Sequence, residues 1–252
     1  MPPGFVVERV AGPPLVKYPM LGGFDELGRL YVCESAGENF DEAGLLKNLP
    51  NFVRRLEDTD GDGRFDQGTI FADKMTFPEG ALWHEGALYV TSPPYLWKLE
   101  DTNGDGIADR REAIVGKFRS YGHGGDIHGP FLTPDGRLAF TDAPLGHEIV
   151  DKKGRLIHKG TAARVFLCDA DGGNLETFCG GGTYNPIEVA FTLAGEMLGI
   201  MTWYNPEEAR HDAFVHFVLN GVYPRRVDAW INEFKQSGPL MAEVDPENWT
   251  SG

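Results

Sequence analysis

The sequence lacks a long apolar run and a basic N-terminal segment, and its basic residues are outnumbered by acidic ones. No apolar stretch reaches the roughly 18 residues that a membrane-spanning helix needs, so we expect no membrane span. The start MPPGFVVERVAG has no basic segment followed by an apolar one, which predicts no signal peptide in this chain. The 38 acidic and 23 basic residues give a net charge of −15, which repels phosphate backbones and argues against nucleic acid as a partner.

Cysteine is also scarce, with Cys33, Cys168 and Cys179 only. No pair has the spacing of a metal site, and no C-x-x-C-H motif occurs, so we expect no haem attached to this chain. Cys168 and Cys179 flank one predicted hairpin, which leaves two alternatives: a pair of buried thiols, or a cross-strand disulfide in an oxidising compartment. No Gly-x-Ser-x-Gly motif occurs, so a hydrolase triad has little support.

Turn residues and short strands are abundant, and they recur at long intervals. A turn glycine followed by a short apolar strand appears at Gly28, Gly86, Gly136 and Gly195, which lie 58, 50 and 59 residues apart. A second signal, a strand that runs into an acidic turn, appears in VRRLEDTDGDG, LWKLEDTNGDG and VFLCDADGG. Repeats of several short strands at this period are typical of propeller blades. A sandwich or barrel is the alternative, but it would not repeat its turn chemistry in this way.

The sequence therefore predicts an all-β fold, a β-propeller of four-stranded antiparallel blades. At about 55 residues per blade, residues 1–252 hold four to five blades in one domain, either complete or part of a six-bladed ring. Residues 205–252 are predicted to be a less regular C-terminal part. Within them, the segment 207–217 fits a helix or a strand.

The two acidic turns LEDTDGDGRFD and LEDTNGDGIAD resemble loops that wrap Ca²⁺. Such loops carry oxygen ligands at positions 1, 3 and 5, a glycine at position 6 and a backbone carbonyl at position 7. The predicted ligands are Asp58, Asp60, Asp62, Asp66 and the Arg64 carbonyl in the first loop, and Asp101, Asn103, Asp105, Asp109, Glu112 and the Ile107 carbonyl in the second. The alternative is a plain acidic β-turn. We expect any calcium here to fasten equivalent corners of successive blades.

The densest polar stretch is YGHGGDIHGPFLTPDGRLAFTD, residues 121–142. It contains His123, Asp126, His128 and Asp142 just before a predicted blade strand, so their side chains can face the central channel. A histidine beside a carboxylate suits a general base, and we predict His128, His123 and Asp126 as catalytic residues. The alternative is that these histidines only hydrogen-bond the loop backbone.

The segment GGGTYNPIEVAF lies in the corresponding place of the next repeat. It offers Tyr184, Asn185 and Glu188, which we predict, together with Asp142, to bind substrate or cofactor. The alternative is a glycine-rich turn in which Asn185 and the following proline only set the backbone angles.

The run GHGGDIHGPFLTPDGRLAFTD and the segment GTYNPIEVAF resemble soluble PQQ-dependent glucose/sorbosone dehydrogenases. Over nearly the whole chain, the sequence is similar to large bacterial propeller proteins described as membrane-bound or haem-associated dehydrogenases. RVFLCDADGGNLETFCGGGTYNPIEVAFTLAGEMLG carries much of this likeness. The resemblance implies a histidine base, PQQ as hydride acceptor beside Ca²⁺, a cytochrome c domain or protein as partner, and a periplasmic or extracellular location.

Two functions follow as alternatives. The first is a quinoprotein-type oxidoreductase acting on a sugar or alcohol, which the His and Asp cluster favours. The second is a non-catalytic, calcium-stabilised propeller that binds carbohydrate or protein. The second is favoured by Tyr184, which stands where the resemblance places an arginine. His123 and His128 bracket the position at which the resemblance places the histidine.

Overall fold

The computed structural model describes residues 2–120, 122, 126–161, 163–180, 183, 185–204 and 210–223. These residues form many short strands and one short helix, α1 (Glu42–Asn48). The strands are β1 (Pro19–Phe24), β2 (Leu30–Glu34), β3 (Asn51–Glu57), β4 (Gln67–Met75), β5 (Ala81–His84), β6 (Ala87–Ser92), β7 (Tyr95–Glu100), β8 (Arg110–Phe118), β9 (His128–Leu132), β10 (Leu138–Thr141), β11 (His147–Val150), β12 (Leu156–Gly160), β13 (Arg164–Cys168), β14 (Glu176–Gly180), β15 (Pro186–Phe191), β16 (Met197–Tyr204) and β17 (Arg210–Phe217).

The strands form successive antiparallel sheets, which are the blades of a β-propeller. Blade 1 is β1-β2-β3-β4, and blade 2 is β5-β6-β7-β8. Blade 3 is β9-β10-β13-β14, and the described part of blade 4 is β15-β16-β17. The first strands contact one another in order, β1 with β5, β5 with β9 and β9 with β15, and so line the axis. The predicted all-β propeller fold is confirmed.

The repeated glycine motif marks the second strand of each blade. The strands that follow Gly28, Gly86, Gly136 and Gly195 belong to four separate sheets, as predicted. All four glycines have φ between 79° and 84°, a left-handed conformation that other residues rarely adopt. The repeat is therefore set by the backbone requirement of the turn between the first and second strands.

Hydrophobic clusters fill the spaces between blades, because each central strand is buried on both faces. In β13, Val165 and Leu167 pack toward blade 4, while Phe166 and Cys168 pack toward blade 2. The two faces of β6 alternate in the same way between blades 1 and 3. This alternation follows the two-residue period of a strand and explains why these strands read as continuous apolar runs.

One hairpin departs from the predicted four-stranded pattern. β11 and β12 leave blade 3 between its second and third strands, and β11 pairs with β8 at the outer edge of blade 2. Blade 2 therefore becomes a six-stranded sheet. The hairpin covers a sheet edge that would otherwise expose unpaired backbone groups.

The C-terminal region is partly described. Residues 210–217, for which the sequence left helix and strand open, form strand β17. Residues 205–209 and 224–252 lie outside the described part of the chain. In that part, no helix has the length and apolar composition needed to cross a membrane.

The blade packing yields a stability prediction at Phe166. Its side chain is 1% exposed and stacks on Phe140 with 5.5 Å between ring centroids. Phe166→Ala should lower the free energy of unfolding by about 3–5 kcal/mol, because it removes buried contacts and leaves a cavity. Urea unfolding followed by tryptophan fluorescence measures the loss. Phe214→Ala is the matched control, since Phe214 is 74% exposed. Equal effects of the two substitutions would contradict the packing of blades 2 and 3.

Candidate functional site

Antiparallel blades place their connections at two opposite ends of the molecule. We define the upper end as the end at which each first strand begins. The connection from the second to the third strand and the connection to the next blade also lie there, because the strands alternate in direction. The turns between first and second strands, and between third and fourth strands, lie at the lower end.

Three polar residues meet at the upper end, near the axis. Glu79 lies two residues before β5, His128 begins β9, and Asn185 comes directly before β15. They come from three successive blades and are 3%, 3% and 7% exposed, respectively. We call Glu79, His128 and Asn185 the axial triad.

The triad has a defined geometry around the imidazole ring. His128 Nε2 lies 2.9 Å from Asn185 Oδ1, and its Nδ1 lies 3.7 Å from Glu79 Oε2. Because a carbonyl oxygen only accepts, His128 donates Nε2–H to Asn185 and leaves the Nδ1 lone pair facing Glu79. Both His128 Nδ1 and Glu79 Oε2 are buried, and neither has a hydrogen-bond partner among the described residues.

Close backbone packing fixes these side chains. The Gly129 N–H donates to the Glu79 carbonyl at 3.3 Å, and the Thr91 hydroxyl donates to the Gly129 carbonyl at 2.7 Å. A Cβ atom at Gly80 would lie 2.0 Å from the Gly129 carbonyl oxygen. Only glycine fits there, so strands β5 and β9 can approach closely enough to bring Glu79 to His128.

Burial controls the protonation of the triad. Burial raises the pKa of Glu79 well above its usual value, and the nearby charge of Asp126 raises it further, although a hydrogen bond from the Asp126 backbone N–H opposes this. Burial lowers the pKa of His128, and its hydrogen bond to Asn185 opposes the change in part. Both shifts favour the neutral forms of the two side chains.

Asp126 is buried beside the triad and is held by Ser120. The Ser120 hydroxyl donates to Asp126 Oδ2 at 2.5 Å, and the Ser120 backbone N–H donates to Glu42 Oε1 at 3.1 Å. Glu42 belongs to α1 and also pairs with Arg119 at 2.8 Å. The helix thus supports the loop that carries Asp126.

A second series of hydrogen-bonded side chains, which we call the Asp142 chain, contains Asp142, which the sequence predicted as a binding residue. His147 Nδ1 donates to Asp142 Oδ2 at 2.5 Å, and His147 Nε2 lies 2.7 Å from Nδ1 of His158. The Arg164 backbone N–H also donates to Asp142, at 2.7 Å. Asp142 therefore orients His147, and the Asp142 chain of hydrogen bonds joins the β11–β12 hairpin to blade 3.

The structure brings together only some of the predicted site residues. His128 and Asn185 are in contact, and Asp126 lies next to them. Glu188 is exposed on β15. His123 and Tyr184 lie outside the described residues.

Glu79 and His147 were not predicted, although a signal for Glu79 exists in the repeat. Glu79-Gly80 and His128-Gly129 occupy equivalent positions, seven and eight residues before the turn glycines Gly86 and Gly136. Aligning the repeats on these glycines, with a one-residue shift that superposes Gly80 on Gly129, would have pointed to Glu79.

Both acidic loops lie at the lower end, opposite the triad, because each joins the third and fourth strands of a blade. In the first loop, Asp58 accepts from the Gly61 and Gly63 N–H groups, and Asp62 accepts from the Arg64 N–H. The ligand oxygens of Asp58, Asp60 and Asp62 lie within 4.8 Å of one another. Asp66 accepts from Thr59 at the end of the loop.

The second loop repeats this arrangement between β7 and β8. Asp101 accepts from the Gly104 and Gly106 N–H groups, Asn103 accepts from the Asp105 N–H, and Asp105 accepts from the Ile107 N–H. Asp109 accepts from Thr102, as Asp66 does from Thr59. Glu112 lies in β8, where its carboxylate is 3.9 Å from Arg110.

The cysteines are free and buried, which agrees with the thiol alternative. Burial raises the pKa of Cys33 to about 12, and it raises the pKa values of Cys168 and Cys179 further. These thiols are therefore poor nucleophiles in the folded protein.

Comparison with known families and structures gives a family and a fold. The model of a family described as a domain of unknown function, DUF7133, matches residues 1–224. A comparison with curated proteins gave no match.

Several solved structures share the fold. The PQQ domain of pyranose dehydrogenase from Coprinopsis cinerea is 14% identical, with a TM-score of 0.55 over 84% of this chain and 54% of that one. A Thermus thermophilus protein provisionally assigned as an oxidoreductase (glucose dehydrogenase) is 18% identical, with a TM-score of 0.54 over 86% of this chain and 66% of that one. A calcium structure of a Trichoderma reesei carbohydrate-active enzyme of family AA12 is 13% identical, with a TM-score of 0.52 over 84% of this chain and 54% of that one. The chain spans about half to two thirds of the length of these structures.

The buried Asp142 chain yields a prediction at His147, whose side chain is fully buried. His147→Ala should lower the free energy of unfolding by about 2–4 kcal/mol, because it removes a packed ring and leaves the Asp142 carboxylate without one of its donors. Urea unfolding measures the loss. His216→Ala, on the exposed face of β17, should have little effect. A His147 variant as stable as the His216 variant would contradict the proposed link between hairpin and blade.

Proposed function

The chain belongs to the family described as a domain of unknown function, DUF7133, and we propose that it is a propeller of the sugar or alcohol dehydrogenase type. Its reaction site is the upper end of the channel, at the axial triad. The observation that supports this proposal is the convergence of Glu79, His128 and Asn185 from three successive blades onto one buried point. The shared fold of dehydrogenase propellers is consistent with it.

Oxidation of an alcohol removes a hydride from carbon and a proton from the hydroxyl group. In the described part of the chain, the Glu79 and His128 pair is the group suited to activate that hydroxyl, since each side chain directs an unpaired polar atom into the same gap. Asn185 holds the orientation of His128, and Ser120 holds Asp126 beside it. The triad therefore supplies hydroxyl activation, and the hydride acceptor must come from elsewhere.

PQQ, which the resemblance implies, lacks one cationic partner that the resemblance places beside it. This quinone carries several carboxylates, and at the triad they would lie near Asp126, whose charge already raises the pKa of Glu79. The arginine expected to balance the quinone's charge is replaced by Tyr184. Among the described residues, Arg164 is a buried cation at the start of β13, at the same end of the molecule, and we derive no step through PQQ.

The proposal for the whole protein includes further features from the resemblance. They are electron transfer to a cytochrome c domain or protein and a periplasmic or extracellular location. A sugar or alcohol is the proposed small-molecule partner.

A non-catalytic, carbohydrate- or protein-binding propeller is the second candidate. It is favoured by the enclosure of His128, whose ring is 3% exposed and directs both nitrogens at protein side chains. A general base needs a nitrogen that the substrate can reach.

Calcium fits both acidic loops as a structural ion. The first loop clusters the oxygens of Asp58, Asp60 and Asp62, and the second loop repeats its turn hydrogen bonds, so both suit a hard cation that prefers oxygen ligands. An ion bound there would fasten the third strand of a blade to the fourth. Since the loops lie at the end opposite the triad, it would take no part in chemistry there.

Calcium binding predicts a specific pattern of melting temperatures. Calcium at about 100 times its Kd should raise Tm by about 5 °C for each loop that it fills, because it binds the folded state alone. Asp101→Asn combined with Asp105→Asn should reduce this increase, since asparagine keeps the turn hydrogen bonds and loses the charge. The second loop should bind more tightly if Glu112 reaches the ion. Differential scanning fluorimetry with calcium and with excess chelator measures both effects. An equal loss of Tm under the two conditions would identify the loop as a plain turn.

The dehydrogenase proposal predicts weak, residue-specific oxidation. Dye reduction with a panel of aldoses and alcohols, in the presence of PQQ and calcium, should be slow, because losing one charge-stabilising group commonly costs about a hundredfold in rate. Tyr184→Arg should raise the rate at least tenfold, and His128→Ala should abolish it. Lys159→Ala, on the exposed hairpin surface, is the control and should not change it.

The outcomes separate the two candidates. If wild type and Tyr184→Arg are both inert but still bind sugars in calorimetry, the binding-propeller alternative replaces the dehydrogenase. If neither oxidation nor sugar binding is found, the assignment of the triad as a sugar site is wrong.

A further inference from the structure

Two unpartnered atoms face each other inside the axial triad. Glu79 Oε2 and His128 Nδ1 lie 3.7 Å apart, and both side chains are more than nine-tenths buried. Buried polar atoms are normally hydrogen-bonded, because an unpaired one costs about 1–3 kcal/mol. A pair of them pointing into one gap therefore calls for an explanation.

The separation is too long for a hydrogen bond, whose N···O distance is about 2.7–3.2 Å. It is close to the distance between two ligands of one metal ion. Ligand bonds of about 2.1 Å at tetrahedral to trigonal angles place an oxygen and a nitrogen roughly 3.4–3.6 Å apart. Glu79 and His128 need to move by only a few tenths of an ångström to share an ion.

The hydrogen bond from His128 to Asn185 is of the kind that metal-binding histidines make through the ring nitrogen that does not bind the metal. A histidine that binds a metal through one nitrogen almost always donates its other N–H to an oxygen, which fixes the tautomer. His128 donates Nε2–H to Asn185 Oδ1 and so directs the Nδ1 lone pair at Glu79. The ring is already oriented for binding through Nδ1.

The charges at this point also favour a cation. Glu79 lies beside a second buried carboxylate, that of Asp126. Among the described residues, His128 is the one basic side chain within ion-pairing distance of Glu79. A divalent ion would displace the proton of Glu79, compensate the charge of the resulting carboxylate and satisfy both unpartnered atoms.

We propose that Glu79 and His128 bind one divalent transition-metal ion of the zinc class at the upper end of the propeller. An imidazole combined with a carboxylate suits such an ion, whereas Ca²⁺ prefers oxygen ligands alone, as in the loops at the lower end. This inference rests on the geometry of the two atoms and stands even if the dehydrogenase proposal fails. If that proposal holds, the ion is what activates the substrate hydroxyl, since metal binding makes a hydroxyl lose its proton more easily.

Equilibrium dialysis of the full chain against Zn²⁺, with metal measured by atomic absorption, tests the site. Millimolar Ca²⁺ is kept present so that the acidic loops are filled. We expect one Zn²⁺ per chain. Glu79→Gln and His128→Gln should weaken zinc binding more than tenfold. Asn185→Ala should weaken it about tenfold, because it removes only the hydrogen-bond acceptor that orients His128. Asp60→Asn should bind zinc as wild type does.

Zinc binding that is absent from wild type, or equal in the Glu79→Gln and wild-type chains, would overturn the proposal. Circular dichroism in chelator establishes that each variant is folded. If the variants do not fold, crystals of the zinc-loaded wild type decide the question through anomalous scattering at the zinc edge. A peak between Glu79 and His128 supports the site, and a peak only elsewhere overturns it.

Discussion

The alternating direction of the strands within each blade is the constraint on which the rest of the structure depends. Because neighbouring strands are antiparallel, every connection falls at one of two ends, and the same connection falls at the same end in each blade. The acidic loops therefore gather at the lower end, and the residues that precede the first strands gather at the upper end. One topological rule thus separates the proposed structural cations from the proposed site of chemistry.

Burying polar side chains at the upper end costs free energy, and hydrogen bonds offset this cost for some of these side chains but not for others. Asp142 is satisfied by His147 and by the Arg164 backbone, so that chain holds the hairpin to the propeller. Glu79 and His128 are buried to a similar extent and retain unpaired atoms. Buried polar atoms without hydrogen bonds lower the stability of the folded state, and such atoms are typical of sites that bind a ligand or ion.

The sequence predicted the parts of the fold that are determined by the requirements of neighbouring residues in the chain. The turn glycines and the apolar strands behind them identified the second strand of each blade, because a left-handed turn and a buried strand each leave a local signature. The hairpin β11–β12 was not predicted, since its pairing with β8 of the preceding blade is a long-range choice. Glu79 was missed for a related reason: its partner His128 is 49 residues away, and only the closure of two blades brings them together.

A double-mutant cycle between His128 and Asn185 tests the central claim, that the first strands of successive blades converge at one polar point. The free energy of unfolding is measured by urea titration in chelator for wild type, His128→Ala, Asn185→Ala and the double variant. A direct hydrogen bond across blades 3 and 4 predicts a coupling energy of about 1 kcal/mol. Effects that add within about 0.3 kcal/mol would show that the two side chains do not interact, and would contradict the axial triad.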